Sequence, residues 1–187
     1  MKKGGKFLGV LLAVCMVITM NVVSAYADSS VPVTRWDNYA ATKFAGGTGT
    51  KDDPYRIENG EQLAKLAKDV SARNTHKGEY FRLEKNVDLS AHRWIPIGDF
   101  GGSSYKSFEG FLDGNCKTIS GMVVDQSKDQ QSAGLFGYIS NATKGNEVGV
   151  KDLTIANAAL YVDESILADP KGFVSAGILV SGAMGND

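Results

Sequence analysis

Ala133-Gly134-Leu135-Phe136-Gly137-Tyr138-Ile139 is echoed 43 residues later by Ala176-Gly177-Ile178-Leu179-Val180-Ser181-Gly182. Recurrence of this kind marks a chain assembled from stacked supersecondary units. Between the copies, Val150-Lys151-Asp152-Leu153-Thr154-Ile155 loosely repeats Lys117-Thr118-Ile119-Ser120-Gly121-Met122, with one short strand in each. A solenoid whose turns contribute short strands to shared parallel sheets needs small residues at corners and branched or aromatic ones inside, and this chain provides both. A coiled β-sheet is the expected architecture.

Upstream, the same texture continues as short apolar runs set off by Gly, Asn, Ser or Asp: Tyr80-Phe81-Arg82-Leu83, Val87-Asp88-Leu89 and Trp94-Ile95-Pro96-Ile97-Gly98. Phe108 to Leu112 then leads through Asp113-Gly114-Asn115 to Thr118–Val124. Asp-Gly between apolar strands signals a hairpin, but the same turn also serves as a corner in a coiled parallel sheet. Nearer the N-terminus, the turn formers of Gly46 to Pro54 precede alternation at Tyr55-Arg56-Ile57. Asn59 is a candidate N-cap with Gln62 three residues on, and Leu63, Leu66, Ala67 and Val70 fall at i, i+3, i+4 and i+7. These positions predict a helix over Asn59 to Ala72, with Glu61, Lys65, Lys68 and Asp69 on a solvated face. The polar stretch 28–43, with Trp36 and Tyr39 its only large aromatic groups, has no sustained periodicity and reads as a partly ordered linker.

The first residues have the three parts of an export signal: Lys2, Lys3 and Lys6, an apolar run from Phe7 to Val23, and Ala25-Tyr26-Ala27. Thr19 and Asn21 interrupt the run, which favours cleavage over a membrane anchor. A lipoprotein site at Cys15 is disfavoured by the bulky Val14 before it. Residues 1–27 are therefore expected to be removed, leaving no membrane span and a secreted or cell-surface product. Their three lysines leave with them, so 17 basic and 21 acidic side chains remain, a formal charge of −4. Such a balance offers no electrostatic footprint for nucleic acid. Cys116 is the only cysteine left, so no intramolecular disulfide can form, and stability must come from burial and hydrogen bonding.

Taken in order, the blocks Gly47 to Ile57, the helix with Gln62-Leu63, Asn86 to Leu89, Trp94 to Gly98, Phe108 to Asn115 and Gly134-Leu135-Phe136-Gly137 resemble the GLUG-motif family of bacterial surface proteins, whose name comes from the last of these. The resemblance covers about residues 44–187 as one domain. It implies a right-handed parallel β-helix of the all-β class, and the Asn59 to Ala72 helix is expected to cover its open N-terminal end, protecting strand edges that would template aggregation. It implies no catalytic residues and an exported, cell-surface protein, and the same modules resemble stalk regions of immunoglobulin A peptidases; the expected function is a non-catalytic module for adhesion or structural spacing. The family usually has glycine where this chain has Cys116, and cysteine is strained if the position needs a positive φ. Ala176 to Gly182 opens what looks like a new coil without a partner, so the domain is expected to be incomplete at its C-terminus.

Candidate chemistry is weighed against plainer roles. His76 and His92 have no neighbouring ligand at metal spacing and read as solvated loop residues, so no metal or other cofactor is expected. Asp52, Asp53, Asp88, Asp113 and Asp125 could line one face, as the acids of polysaccharide lyases and glycosidases do, but each also suits a turn. Cys116 has no evident base and is assigned no role. Among Trp36, Tyr39, Trp94, Phe100 and Tyr105, large aromatics that could stack on sugars but more often pack, Phe100 and Tyr105 flank the Gly101–Ser104 loop, are the ones expected to be exposed and are the candidates for ligand contact, with packing the favoured role even for them. Surface glycans or host proteins are the partners such groups would meet. A polysaccharide-degrading enzyme is the alternative, and a protease stalk would require a downstream H-E-x-x-H that this sequence lacks.

Overall fold

The computed structural model describes residues 32–100, 105–126, 132–141, 147–162 and 175–185. Among these residues the chain is mostly strand, with one α-helix. Strand β1 (Tyr55–Ile57) runs into helix α1 (Gly60–Ser71), followed by β2 (Tyr80–Leu83), β3 (Val87–Asp88), β4 (Phe111–Ser120), β5 (Val123–Gln126), β6 (Ser132–Ala133) and β7 (Phe136–Asn141). Strands β8 (Gly149–Ala156), β9 (Ala159–Val162), β10 (Ser175–Ala176) and β11 (Val180–Gly185) complete the order.

Every paired strand lies parallel to its partner. The largest sheet orders β1-β2-β4-β3, with β8 also on β4. The separate pairs β5–β9, β6–β10 and β7–β11 each join a strand to one much later in the chain. A two-residue turn cannot connect parallel strands, so this pairing excludes a hairpin at Asp113-Gly114-Asn115. The turn is a corner inside β4: Asp113 pairs with Lys151 and Lys117 with Leu153, so three residues of β4 face Asp152 alone. Asn115 (φ 49°), Cys116 (φ 55°) and Asp152 (φ 50°) all take the left-handed conformation there. Asn115 suits it, since the Asp113 carboxylate accepts its backbone N–H at 2.8 Å and its amide donates to the Leu83 carbonyl at 3.0 Å. Cysteine gains no such local bond and bears the Cβ cost of the conformation. Cys116→Gly is expected to raise unfolding stability by about 1 kcal/mol, read as a higher urea midpoint at unchanged slope.

The repeat at Ala133 is a hydrogen-bonded ladder. Ser132 and Ala133 pair with Ser175 and Ala176, keeping the 43-residue spacing. Phe136 then pairs with Val180, and Tyr138 with Gly182, so the second copy has absorbed one extra residue at the Gly177–Leu179 corner. Trp94–Gly98 is not a strand: only isolated parallel bridges form here, from Arg93 to Arg35 and Val123 and from Ile97 to Phe136. Pro96 has no N–H to donate, and Gly98 turns to φ 83°, which together stop a ladder.

Inward positions form continuous stacks. Phe81, Leu112 and Val150 are aligned across β2, β4 and β8, and Val87, Ile119 and Ile155 across β3, β4 and β8. All six are buried. Phe81, Phe108 and Phe136 stack along the interior with ring centroids 5.9 and 5.2 Å apart. Helix α1 starts where expected, with Asn59 Oδ1 accepting the Gln62 N–H at 3.0 Å. The Gln62 side chain reaches back to the Glu58 N–H at 2.7 Å. Its apolar face, Leu63, Leu66, Ala67 and Val70, joins the core. Trp36, in a 3-10 turn at Trp36–Tyr39, is buried as well and donates from its indole to the Leu89 carbonyl at 3.0 Å. The stretch 28–43 thus contributes a core side chain. Residues 1–31, including the expected signal segment, lie outside the described residues.

Candidate ligand-contact site

The one antiparallel contact among the described residues positions the aromatic candidates. Asp99 and Lys106 exchange backbone hydrogen bonds of 2.8 and 2.9 Å, making a two-residue-wide ribbon. Side chains alternate along a strand, so Phe100 and Tyr105 share one face of this ribbon while Asp99 and Lys106 share the other. The Phe100 and Tyr105 rings stack at 4.8 Å with an interplanar angle of 22°. Both lean on Tyr138, at 5.2 and 5.5 Å. Ser132 holds the base of the ribbon, its hydroxyl accepting the Phe100 N–H at 3.0 Å. Phe100 is half-buried, Tyr105 is 55% exposed, and Tyr138 is buried beneath them. Burial, and then the neighbouring Tyr105 phenol, hold the Tyr138 hydroxyl above its ordinary pKa. Tyr138 lies in the glycine-flanked repeat and belongs to this cluster although nothing in its local sequence marks it; only the return of β7 past the ribbon places it there. Gly101–Ser104 lies outside the described residues.

The opposite face of the ribbon borders a cleft of about 290 Å³ between α1, the Trp36–Tyr39 turn and the Trp94–Asp99 segment. Arg35, Lys68 and Lys106 supply its positive charge, and Asp37 and Asp99 its negative. Arg35 meets Asp37 Oδ2 at 3.2 Å, while Asp37 Oδ1 is buried without a hydrogen-bond partner. Ala64, Ala67 and Pro96 give the cleft an apolar floor.

His76 is not solvated, contrary to the sequence reading, while His92 is half-buried. His76 is only 4% exposed and sits between two carboxylates. Its Nδ1 lies 2.5 Å from Glu79 Oε2, and its Nε2 lies 3.3 Å from Asp69 Oδ2 without hydrogen-bond geometry. Lys65 bonds Asp69 at 2.8 Å and stands 5.0 Å over the Phe44 ring, so the Lys65–Asp69 edge of the helix is also half-buried. His92 stacks on Tyr39 at 3.9 Å and meets Thr34 Oγ1 at 2.6 Å. Loop sequence alone could not show either site, because residues 34–44 close over both histidines from far away in the chain.

Four of the acids singled out in the sequence, Asp53, Asp88, Asp113 and Asp125, have hydrogen-bond or ion-pair partners. Asp88 accepts the Ser90 N–H at 2.9 Å, which holds its carboxyl below the usual value. Asp113 accepts the Asn115 N–H and meets Lys151 at 3.2 Å. Asp125 is paired with Arg93, and Asp53 approaches Arg56 at 3.4 Å. A further cluster was not foreseen: Glu147 Oε2 accepts from Lys51 at 2.7 Å and from the Tyr80 hydroxyl at 3.1 Å. Those two bonds, Lys51 first, hold the Glu147 carboxyl below its ordinary value, and the same contact raises the Lys51 ammonium. Both partners are more than half exposed, so the pair adds little stability. Cys116 is exposed. No group of three or more metal-binding side chains is found among the described residues, and no described helix is long and apolar enough to cross a membrane.

No protein-family profile and no solved structure matches the chain. It is similar to a protein of Evansella cellulosilytica named "Putative Gly-rich membrane protein", 35% identical over 102 residues, which cover 51% of this chain and 11% of that one. It is also similar to "Halomucin" of Haloquadratum walsbyi, 31% identical over 138 residues, covering 63% of this chain and 2% of that one. The chain therefore spans about a tenth of the first relative's length and a fiftieth of the second's.

Proposed function

We propose that the chain is a non-catalytic, secreted or cell-surface module: a right-handed parallel β-helix of the GLUG-motif kind, its open end covered by α1, that spaces or presents adhesive surfaces. The observation that carries this reading is the parallel pairing of strands from successive chain segments, Ser132 with Ser175 and Phe136 with Val180 among them. Stacked units of this sort extend along one axis and make rods. Right-handed crossover is the strong rule for parallel strands in one sheet. The engagement of Asp88, Asp113 and Asp125 with turns and cations supports a structural role over acid–base catalysis. A relative named as a membrane protein supports a place at the cell envelope. Incubating the exported protein with acidic polysaccharides, with and without calcium, is expected to release neither unsaturated nor reducing ends. Robust product formation would replace this reading with that of a polysaccharide-degrading enzyme.

A further inference from the structure

The two ends of the strand rows are finished differently. At one end the outer edge is taken: Arg56 of β1 exchanges backbone hydrogen bonds of 2.9 Å with Ala45 and Gly46. Arg93, which bridges to Val123 and so heads the β5–β9 row, does the same with Thr34 and Trp36 at 2.8 and 3.0 Å. At the other end, no strand among the described residues pairs with the outer edge of β9, β10 or β11. Burial falls from one strand to the next along the β7–β11 ladder. Phe136, Ile139 and Ser140 of β7 are buried, whereas their partners on β11 are not: Val180 is half-buried, Ala183 is exposed and Met184 is 53% exposed. Leu160, Ile178 and Leu179 pack against the core while remaining partly exposed. Open strand edges are ordinarily blunted by charge, by proline or by a covering segment. Ala159–Val162, Ser175-Ala176 and Val180–Gly185 contain no charged residue and no proline. The edge thus keeps its backbone donors and acceptors with no repulsive group beside them.

We propose that this edge is a self-association surface, on which a second copy of the chain lays its own β11 antiparallel to the first. A two-fold axis across the end reverses strand direction and brings the same patch of both copies together. Uncharged residues then meet uncharged ones, and Leu179, Val180 and Met184 add apolar contact. Head-to-tail stacking lacks a receiving edge, because Thr34, Trp36, Ala45 and Gly46 already occupy the opposite one. Closed pairs follow, and not filaments. The size of the surface sets its strength: strands of 4, 2 and 6 residues fall short of the roughly 20–30 residues that each side of a stable complex supplies. A dimer with a Kd of about 10–100 μM is the expectation. The inference stands on strand pairing and burial, so it holds whether or not the chain acts on a polysaccharide.

Sedimentation equilibrium of the exported chain over roughly 5–500 μM, a range that brackets this Kd, tests it. A reductant is present so that the exposed Cys116 cannot join two chains by a disulfide. The mass is expected to rise from that of one chain to that of two and no further. Over the same range, amide exchange at the free edge of β11 is expected to slow about threefold or more, while that of β1 stays constant. Tyr161→Lys combined with Met184→Lys sets like charges along the edge and is expected to weaken the dimer at least roughly tenfold. Tyr105→Lys, at an exposed aromatic away from the edge, should leave the dimer intact. Circular dichroism establishes that each variant is folded, and the exchange measurement on the parent chain decides the matter if the double variant is not. A single-chain mass throughout would assign the edge to a strand from elsewhere and overturn the proposal. Masses growing beyond two chains, or a dimer whose β11 amides exchange at an unchanged rate, would overturn it as well.

Discussion

Gly137→Ala is expected to cost about 3 kcal/mol or more, a large share of the roughly 5–15 kcal/mol that holds a domain folded. A Cβ at this position would stand 2.1 Å from the Gly98 carbonyl oxygen and 2.9 Å from its carbon. Neither atom can swing aside as a side-chain end would, because both belong to backbone. The two segments are also tied together at this point: Gly137 donates to the Ile97 carbonyl at 3.0 Å, and the Phe108 N–H bonds the Tyr138 carbonyl at 3.0 Å. Relief would require separating the neighbouring chains and breaking these bonds. Gly134→Ala meets a similar obstacle, with its Cβ 2.1 Å from the Gly177 carbonyl oxygen. The control lies on the partner strand: Gly185 has nothing within 4 Å of an added Cβ. Gly185→Ala is expected to change stability by no more than about 0.5 kcal/mol. Urea midpoints of the three variants and the parent check the contrast, and equal midpoints for Gly137→Ala and Gly185→Ala would refute the close approach.

Trp94→Ala is expected to destabilise by about 3–5 kcal/mol through lost burial and the cavity left behind. At about 2–4 °C per kcal/mol for a chain of this size, the melting temperature should fall by roughly 6–20 °C. Trp94 is 1% exposed and is among the largest fully buried side chains described. Its indole donates to the Leu135 carbonyl at 3.1 Å, and its backbone N–H to the Val123 carbonyl at 2.7 Å. One side chain thus joins the segment before the ribbon to β5 and to the repeat at Gly134. Trp94→Phe keeps most of the ring volume and removes only the indole donor. Leu135 retains the Ile97 N–H at 2.9 Å on the same carbonyl, so this variant should lose only about 1–2 kcal/mol. Thermal unfolding followed by far-ultraviolet circular dichroism separates the two, and comparable losses in Trp94→Ala and Trp94→Phe would show that the hydrogen bond, not packing, dominates.

How much of this was legible in the residues varies from element to element. The Asn59 cap and the Leu63, Leu66, Ala67, Val70 spacing specify α1 locally, since capping and 3.6-residue periodicity are properties of a short segment. The recurrence at Ala133 and Ala176 marks two strands that do lie side by side, but repeat alignment put Phe136 opposite Leu179 and the ladder puts it opposite Val180. A corner can take up one residue without changing the composition of either copy, so a sequence echo cannot see it. Trp94–Gly98 has the alternation of a strand, yet Pro96 and the turn at Gly98 deny it a ladder. Asp113-Gly114-Asn115 was ambiguous for a related reason: Asp-Gly supports a hairpin turn and a coil corner alike, and only the partner strand β8 decides between them.

The candidate site divides in the same way. Phe100 and Tyr105 stood out because they flank a glycine-serine loop, but their stacking on Tyr138 depends on a chain segment some thirty residues later in sequence. The cleft behind them was invisible, since Arg35, Lys68 and Lys106 come from three separate elements and each looks like an ordinary surface charge on its own. His76 shows the same limit: it reads as a loop residue, and Asp69 and Glu79 enclose it only once the helix end folds back over Phe44. By itself, then, the sequence determined what depends on neighbours in the chain: the helix and its cap, the positions of most strands, and the small residues suited to corners. The tertiary structure alone decided parallel pairing, register at the corners and every contact across the Asp99–Lys106 ribbon, because burial and hydrogen bonding between distant segments set these and no local pattern carries them.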